Sequence, residues 1–403
     1  MNRKLLLTAI SLMVLTVACA QSKPSEPSVT AASETVLRTG AECMERYLPL
    51  LEGKRVAVCG NQTSVVGKTH LVDTLLARDV NIVKLLCPEH GFRGQAEAGA
   101  TIASGKDPLT GLPVVSLYGK NKKPTAEQLQ NVDIVLFDLQ DVGCRFYTYI
   151  STLHYVMEAA AEVGVKVIVL DRPNPNGFYV DGPVLEPQYK SFVGMHPVPV
   201  VYGMTIGEYA RMINGEKWLA NGAKCDLEVV QLEGYTHKTR YDLPVAPSPN
   251  LQTAEAIFLY PSLCFFEGAN ISVGRGTDRP FEMFGAPGLL SGDYRFVPQA
   301  IPGVSENPPF KGQECRGYSL HEEAENGLYR IGSLNLSYLL AAYHNYPDKA
   351  NFFLKNNFFD KLAGTDQLRK QIVEGVSEEE IRASWKPGLE KFKEIRGKYL
   401  LYE

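Results

Sequence analysis

From residue 55 onward the chain repeats one device: a short run of Val, Ile, Leu and Cys that ends in a polar cluster, followed by a stretch of loop or helical sequence and then another such run. Residues 55–60, 81–87, 113–118, 132–138 and 166–171 are five of these runs, and 227–231 reads as a further strand. Continuous apolar runs of this length suit strands covered on both faces, and their alternation with helix-forming stretches predicts a parallel sheet with helices on either side. The expected fold class is therefore α/β. A Rossmann-like domain with a parallel sheet spans residues 37–248, and a smaller α+β C-terminal domain over 249–403 completes a cleft. The boundary is marked by the Pro- and Ser-rich stretch at 244–250. A hydrophobic content of 45% is ample for a packed core.

In open parallel sheets ligands bind beyond the carboxyl ends of the strands, where loops are free to carry polar groups. Four of the runs end in such groups. The first ends at Asn61, the second runs into Glu89, His90 and Arg93, the fourth into Gln140, Asp141, Arg145 and Tyr147, and the fifth into Asp171, Arg172 and Asn174. Carboxylates beside arginines and amides suit glycoside cleavage, which needs one carboxylic acid to protonate the leaving oxygen and commonly a second carboxylate as nucleophile or base. Glu89 is the expected acid, because an apolar strand precedes it and a Gly-containing turn follows. Asp171, Asp141 and Glu267 compete for the second role. Asp171 and Asp141 have an alternative as loop-fixing partners of Arg172 and Arg145. Planar guanidinium groups suit bidentate capture of a ligand carboxylate, which makes Arg93, Arg145, Arg172 and Arg275 candidates. Tyr147, Tyr149 and Tyr202 offer faces for a sugar ring, against the competing reading of each as core. Thr205 followed by Glu208 reads as a helix capping box, which makes Glu208 structural.

The N-terminus predicts export. Asn2-Arg3-Lys4 is basic, residues 5–17 are apolar but too short for a lasting membrane span, and small residues surround Cys19. Residues 1–19 are expected to be an export signal, with Cys19 as a lipidation site, and 20–36 a flexible Ser/Pro-rich tether. This implies a periplasmic protein or a lipoprotein whose membrane contact is the anchor alone. A net charge of −4 and a pI near 6.1 give no electrostatic footprint for nucleic acid. Gly67-Lys68-Thr69 imitates the end of a phosphate-binding loop, but Gln62 stands where the first glycine belongs. No G-x-S-x-G elbow occurs. The eight cysteines are scattered without metal-ligand spacing and lie mostly in apolar runs, so they read as small buried hydrophobes. No metal and no organic cofactor is expected.

Longer strings carry a family resemblance. Pro88 to Gly94 (PEHGFRG), Asp138 to Gly143 (DLQDVG) with Arg145 to Tyr149 (RFYTY), Asp171 to Gly177 (DRPNPNG), and Gly268 to Thr277 resemble the NamZ/YbbC family. The resemblance runs from about residue 37 to the C-terminus. It implies an exo-β-N-acetylmuramidase that releases N-acetylmuramic acid (MurNAc) from the non-reducing end of peptidoglycan-derived MurNAc-GlcNAc saccharides, with the family's glutamate falling on Glu89. The lactyl carboxylate of MurNAc supplies a reason for arginines in a sugar site. Two other classes compete: a peptidoglycan-binding lipoprotein without catalysis, and a hydrolase of a different muropeptide bond.

Overall fold

The structure, a computed structural model, describes residues 36–89, 91–93, 105–321 and 332–403. Cys19 and His90 lie outside the described residues, as do the export signal and most of the tether. The six expected strands form, as β1 (Val56–Gly60), β2 (Ile82–Cys87), β4 (Pro113–Ser116), β5 (Ile134–Asp138), β6 (Lys166–Leu170) and β7 (Leu227–Val230). A two-residue edge strand, β3 (Gly105–Lys106), has no counterpart in the sequence reading. The sheet order is β3-β4-β2-β1-β5-β6-β7, parallel throughout except for the β3–β4 pair. Successive strands step outward in one direction from β1 and in the other from β5, so the switch point lies between these two.

Period-two alternation in β1, β5 and β6 feeds two different cores. Ala57, Cys59, Val135, Phe137, Val167 and Val169 face the helices α3 (Tyr149–Val163) and α4 (Ile206–Gly215). Val56, Val58, Ile134, Leu136, Ile168 and Leu170 face α1 (Met44–Leu51) and α2 (Leu71–Leu76). Both sets are apolar because both faces are covered, which is why these strands read as unbroken apolar runs. The α4 capping box forms as expected, with Glu208 N–H donating to Thr205 Oγ1 and Thr205 N–H donating to Glu208. The seven described cysteines are buried and unpaired.

The C-terminal domain adds α5 (Ala254–Leu263) and an antiparallel sheet of β8 (Met283–Ala286), β9 (Tyr294–Phe296) and β10 (Cys315–Ser319), ordered β8-β10-β9. Among the described residues four helices follow: α6 (Ser337–Asn345), α7 (Phe358–Ala363), α8 (Gln367–Glu374) and α9 (Glu378–Gly397). The α3/α4 core continues without a break into Phe265, Phe266, Phe284, Phe352, Phe359 and Leu389, and Val36–Glu403 forms one compact unit.

Candidate active site

Beyond the carboxyl ends of β2, β4 and β5 lies a cavity of about 560 Å³, a volume ordinary for a small-molecule site. Glu89 enters it from the end of β2, half-buried, and accepts a hydrogen bond from Thr148 Oγ1 at 3.2 Å. Tyr118, two residues past the end of β4, also bonds to Glu89. Burial, together with the nearby Glu89 carboxylate, pushes the Tyr118 phenol up, so that it stays a donor. Tyr147 and Tyr149 line the floor edge to face, with ring centroids 4.8 Å apart, and are buried. Tyr147 donates its hydroxyl to Pro247 O at 2.8 Å, and Asn61 Nδ2 donates to the Tyr149 hydroxyl at 2.6 Å. Asn61 therefore acts on the site through Tyr149.

The C-terminal domain supplies the rest of the lining. Glu267 sits in a 3₁₀ turn, Cys264–Gly268, directly after α5. Arg275 Nε donates to Glu267 Oε1 at 2.7 Å, and its Nη2 lies 2.6 Å from the same oxygen. Gly274 and Gly276 flank Arg275 with φ of 78° and 83°, and a Cβ on Gly276 would stand 2.4 Å from Gln299 O. Only glycine suits both positions, and the pair fixes where the guanidinium points. Tyr260, Phe281 and Phe358 give the wall an aromatic surface.

The remaining site expectations are corrected by burial. Asp171 is 0% exposed and accepts from Thr205 Oγ1 at 2.7 Å, Gly207 N at 2.8 Å and Tyr402 OH at 2.6 Å. It anchors the N-terminus of α4 and the C-terminal tail and does not line the cavity. Asp141 accepts from Gly143 N at 2.7 Å and from the hydroxyl of Tyr202, which is itself wholly buried. Both aspartates and Tyr202 are internal braces, because burial closes the strand end on that side of the switch point. The arginines are spent likewise. Arg172 pairs with Asp138 at 2.6 Å, and Arg93 pairs with Asp107 at 3.0 Å and Asp73 at 3.3 Å. Arg145, 0% exposed, donates to four carbonyls, those of Pro183, Val198, Leu362 and Ala363. Gln140 donates to Asp141 O and Pro173 O, and Asn174 donates to Met204 O. Of the expected site residues described, the cavity gathers Glu89, Tyr147, Tyr149, Glu267 and Arg275.

Sequence reasoning missed Tyr118, Lys122, Thr148 and Phe192. Tyr118 was assigned to the third strand, which stops at Ser116. Lys122 belongs to a basic run, Lys120 to Lys123, of the kind that reads as a solvated loop. Among the described residues, Cys43, Glu45 and Glu233 form a trio with metal-ligand proximity, but Arg38 and Arg46 pair with its carboxylates.

Asp171 gives a test of the structural assignment. Burial pushes its carboxyl up from 3.8 to about 7, against the hydrogen bonds that Tyr402 and Thr205 donate to it. A raised folded pKa means the native state holds the proton more tightly, so this contribution is complete below the unfolded value and is lost as pH rises through about 7. The advantage of wild type over Asp171→Asn in unfolding free energy is expected to shrink between pH 4 and 7, by at most roughly 1.4 kcal/mol per pH unit. Urea melts of both proteins at pH 5 and pH 7.5 check it. An advantage that grows with pH would refute the assignment.

Two glutamates, one from each domain, line one aromatic-walled cavity beyond the strand ends, the pair of groups on which a glycoside hydrolase works. The chain belongs to the exo-beta-N-acetylmuramidase NamZ family. The family's N-terminal model matches residues 56–255 and its C-terminal model residues 258–402. The chain is 42% identical over 409 aligned positions, 97% of each chain, to the peptidoglycan beta-N-acetylmuramidase NamZ of Bacillus subtilis strain 168. Crystal structures of two DUF1343 family proteins of Bacteroides fragilis NCTC 9343 are also similar. One superposes with a TM-score of 0.84 at 45% identity and the other with 0.78 at 33%, each match covering 91% of this chain and 99% of that one.

Proposed function

We propose that this chain is an exo-acting β-N-acetylmuramidase that hydrolyses the glycosidic bond of a non-reducing-terminal MurNAc in peptidoglycan fragments. The observation that carries the reading is the half-buried Glu89, held by Thr148 in a cavity that also receives Glu267. Glu89 protonates the leaving glycosidic oxygen. Glu267, oriented by Arg275, is the second carboxylate, and the tyrosine and phenylalanine walls offer apolar faces to the sugar. Family membership and the relative named for this activity support the same reading. The export signal read in residues 1–19 and lipid attachment at Cys19 suit an enzyme working on wall fragments outside the cytoplasm.

The test is the product. Purified enzyme incubated with a MurNAc-GlcNAc disaccharide and with a muropeptide ending in MurNAc is expected to release free MurNAc, seen by mass spectrometry. Release of peptide with the disaccharide left whole would replace this reading with a hydrolase of another bond. Binding of the disaccharide without any product would replace it with a carbohydrate-binding lipoprotein.

A further inference from the structure

Among the described residues, the charged side chains lining the cavity are Glu89, Lys122, Glu267 and Arg275. Glu267 and Arg275 compensate each other directly. Glu89 is held by the hydroxyls of Thr148 and Tyr118. What is left is the ammonium of Lys122. Among the described residues it makes no ion pair, and its Nζ lies 4.2 Å from the centroid of the Phe192 ring, which also lines the cavity. Phe192 in turn stacks on Tyr155 at 6.3 Å with planes 14° apart.

The loop around Lys122 is fixed on both sides. Asn121 Nδ2 donates to Ser116 O at 3.0 Å, at the end of β4. Lys123 Nζ donates to Glu158 at 2.7 Å and Glu162 at 2.6 Å, both on α3. Two adjacent lysines thus have opposite assignments: Lys123 is consumed in fastening the loop to the fold, and Lys122 is delivered to the cavity with its charge uncompensated. An aromatic face beneath an ammonium limits its hydration and its range of positions without neutralising it. A cation presented in this way in a half-enclosed site is complementary to one negative charge on a ligand.

We propose that Lys122 is a specificity-determining residue that binds a carboxylate carried by the terminal sugar. This rests on the muramidase reading and deepens it: the lactyl ether of MurNAc bears one carboxylate, which GlcNAc lacks. The inference moves the expected anion contact from the arginines, three of which are spent in ion pairs or a carbonyl cage, to a lysine from a loop.

The experiment compares a chromogenic β-MurNAc glycoside with the same glycoside whose lactyl carboxylate has been converted to the primary amide. Wild type is expected to favour the carboxylate by about tenfold to a hundredfold in kcat/KM, the range for a charge-assisted hydrogen bond. In Lys122→Met that ratio is expected to fall at least tenfold, mainly through KM on the carboxylate substrate, and Lys122→Arg is expected to retain most of it. Because each ratio is measured on one protein preparation, a smaller folded fraction cancels; Lys122→Gln repeats the comparison with a polar replacement. A wild-type ratio of one, or a ratio that Lys122→Met leaves at its wild-type value, overturns the role of Lys122 while leaving the muramidase reading standing. If wild type cleaves neither glycoside, the muramidase reading fails and this inference fails with it.

Discussion

Glu89→Gln is expected to lower kcat on a MurNAc-GlcNAc disaccharide by about 10²- to 10⁴-fold, the usual contribution of a positioned proton donor. Gln keeps the shape of the side chain and an oxygen for the Thr148 hydroxyl, so the cavity is preserved and KM is expected to change little. The substitution removes only the proton. Its effect must then depend on how much the leaving group needs one. A sugar alkoxide is a poor leaving group and needs protonation, whereas a dinitrophenolate departs unaided. On a dinitrophenyl β-MurNAc glycoside the loss is expected to shrink by tenfold or more relative to the disaccharide. Steady-state kinetics on both substrates measure this, and an equal loss on the two would mean that Glu89 is not the acid.

The split between what the chain announces and what it conceals is visible at the strand ends. The parallel sheet was legible because β1, β5 and β6 are buried on both faces over nearly their whole length, and that demand writes apolar runs into the sequence. The place of Glu89 at a strand end was legible because it follows β2, whose last three residues, Leu85 to Cys87, are apolar and buried. The error at Asp171 and Asp141 has a physical origin: a polar cluster at a strand end is equally the signature of a binding loop and of a loop sealed by distant chain. Asp171 is sealed by Tyr402, 231 residues further on, and Arg145 by the carbonyls of Leu362 and Ala363, more than 200 residues away. No local pattern encodes partners at that separation. Each aspartate does brace a loop, but with partners other than those expected. Asp171 takes the backbone N–H of Arg172 and hydroxyls from elsewhere, while the Arg172 guanidinium goes to Asp138.

The C-terminal half of the site was less legible still. Glu267 and Arg275 stood out as residue types, but nothing in their spacing of eight announces an ion pair. The pair depends on two left-handed glycines and on a 3₁₀ turn that ends α5. Lys122 is the opposite case. Its local setting, four basic or amide residues in a row, carries no sign of a site, and the loop that presents it is fixed by Asn121 at the end of β4 and by Lys123 on α3.

The second large effect follows from this geometry. If Glu267 acts on the reacting carbon rather than on the leaving group, Glu267→Gln must slow cleavage whatever departs. The expected loss in kcat is about 10²- to 10⁴-fold on the disaccharide and equally on the dinitrophenyl glycoside, the pattern that separates it from Glu89→Gln. Gln retains an acceptor oxygen for the Arg275 Nε–H, so the arginine keeps a hydrogen bond but loses its compensating charge. That leaves a second signature. The cavity of the variant carries both Lys122 and an uncompensated Arg275, and it should bind the anionic product MurNAc more tightly than wild type does, by severalfold at low salt and less as salt is raised. Titration calorimetry with MurNAc at two ionic strengths, alongside the two-substrate kinetics, tests both signatures. A Glu267→Gln enzyme that is slow on the disaccharide yet normal on the dinitrophenyl glycoside would assign the proton donor to Glu267 and reverse the two roles.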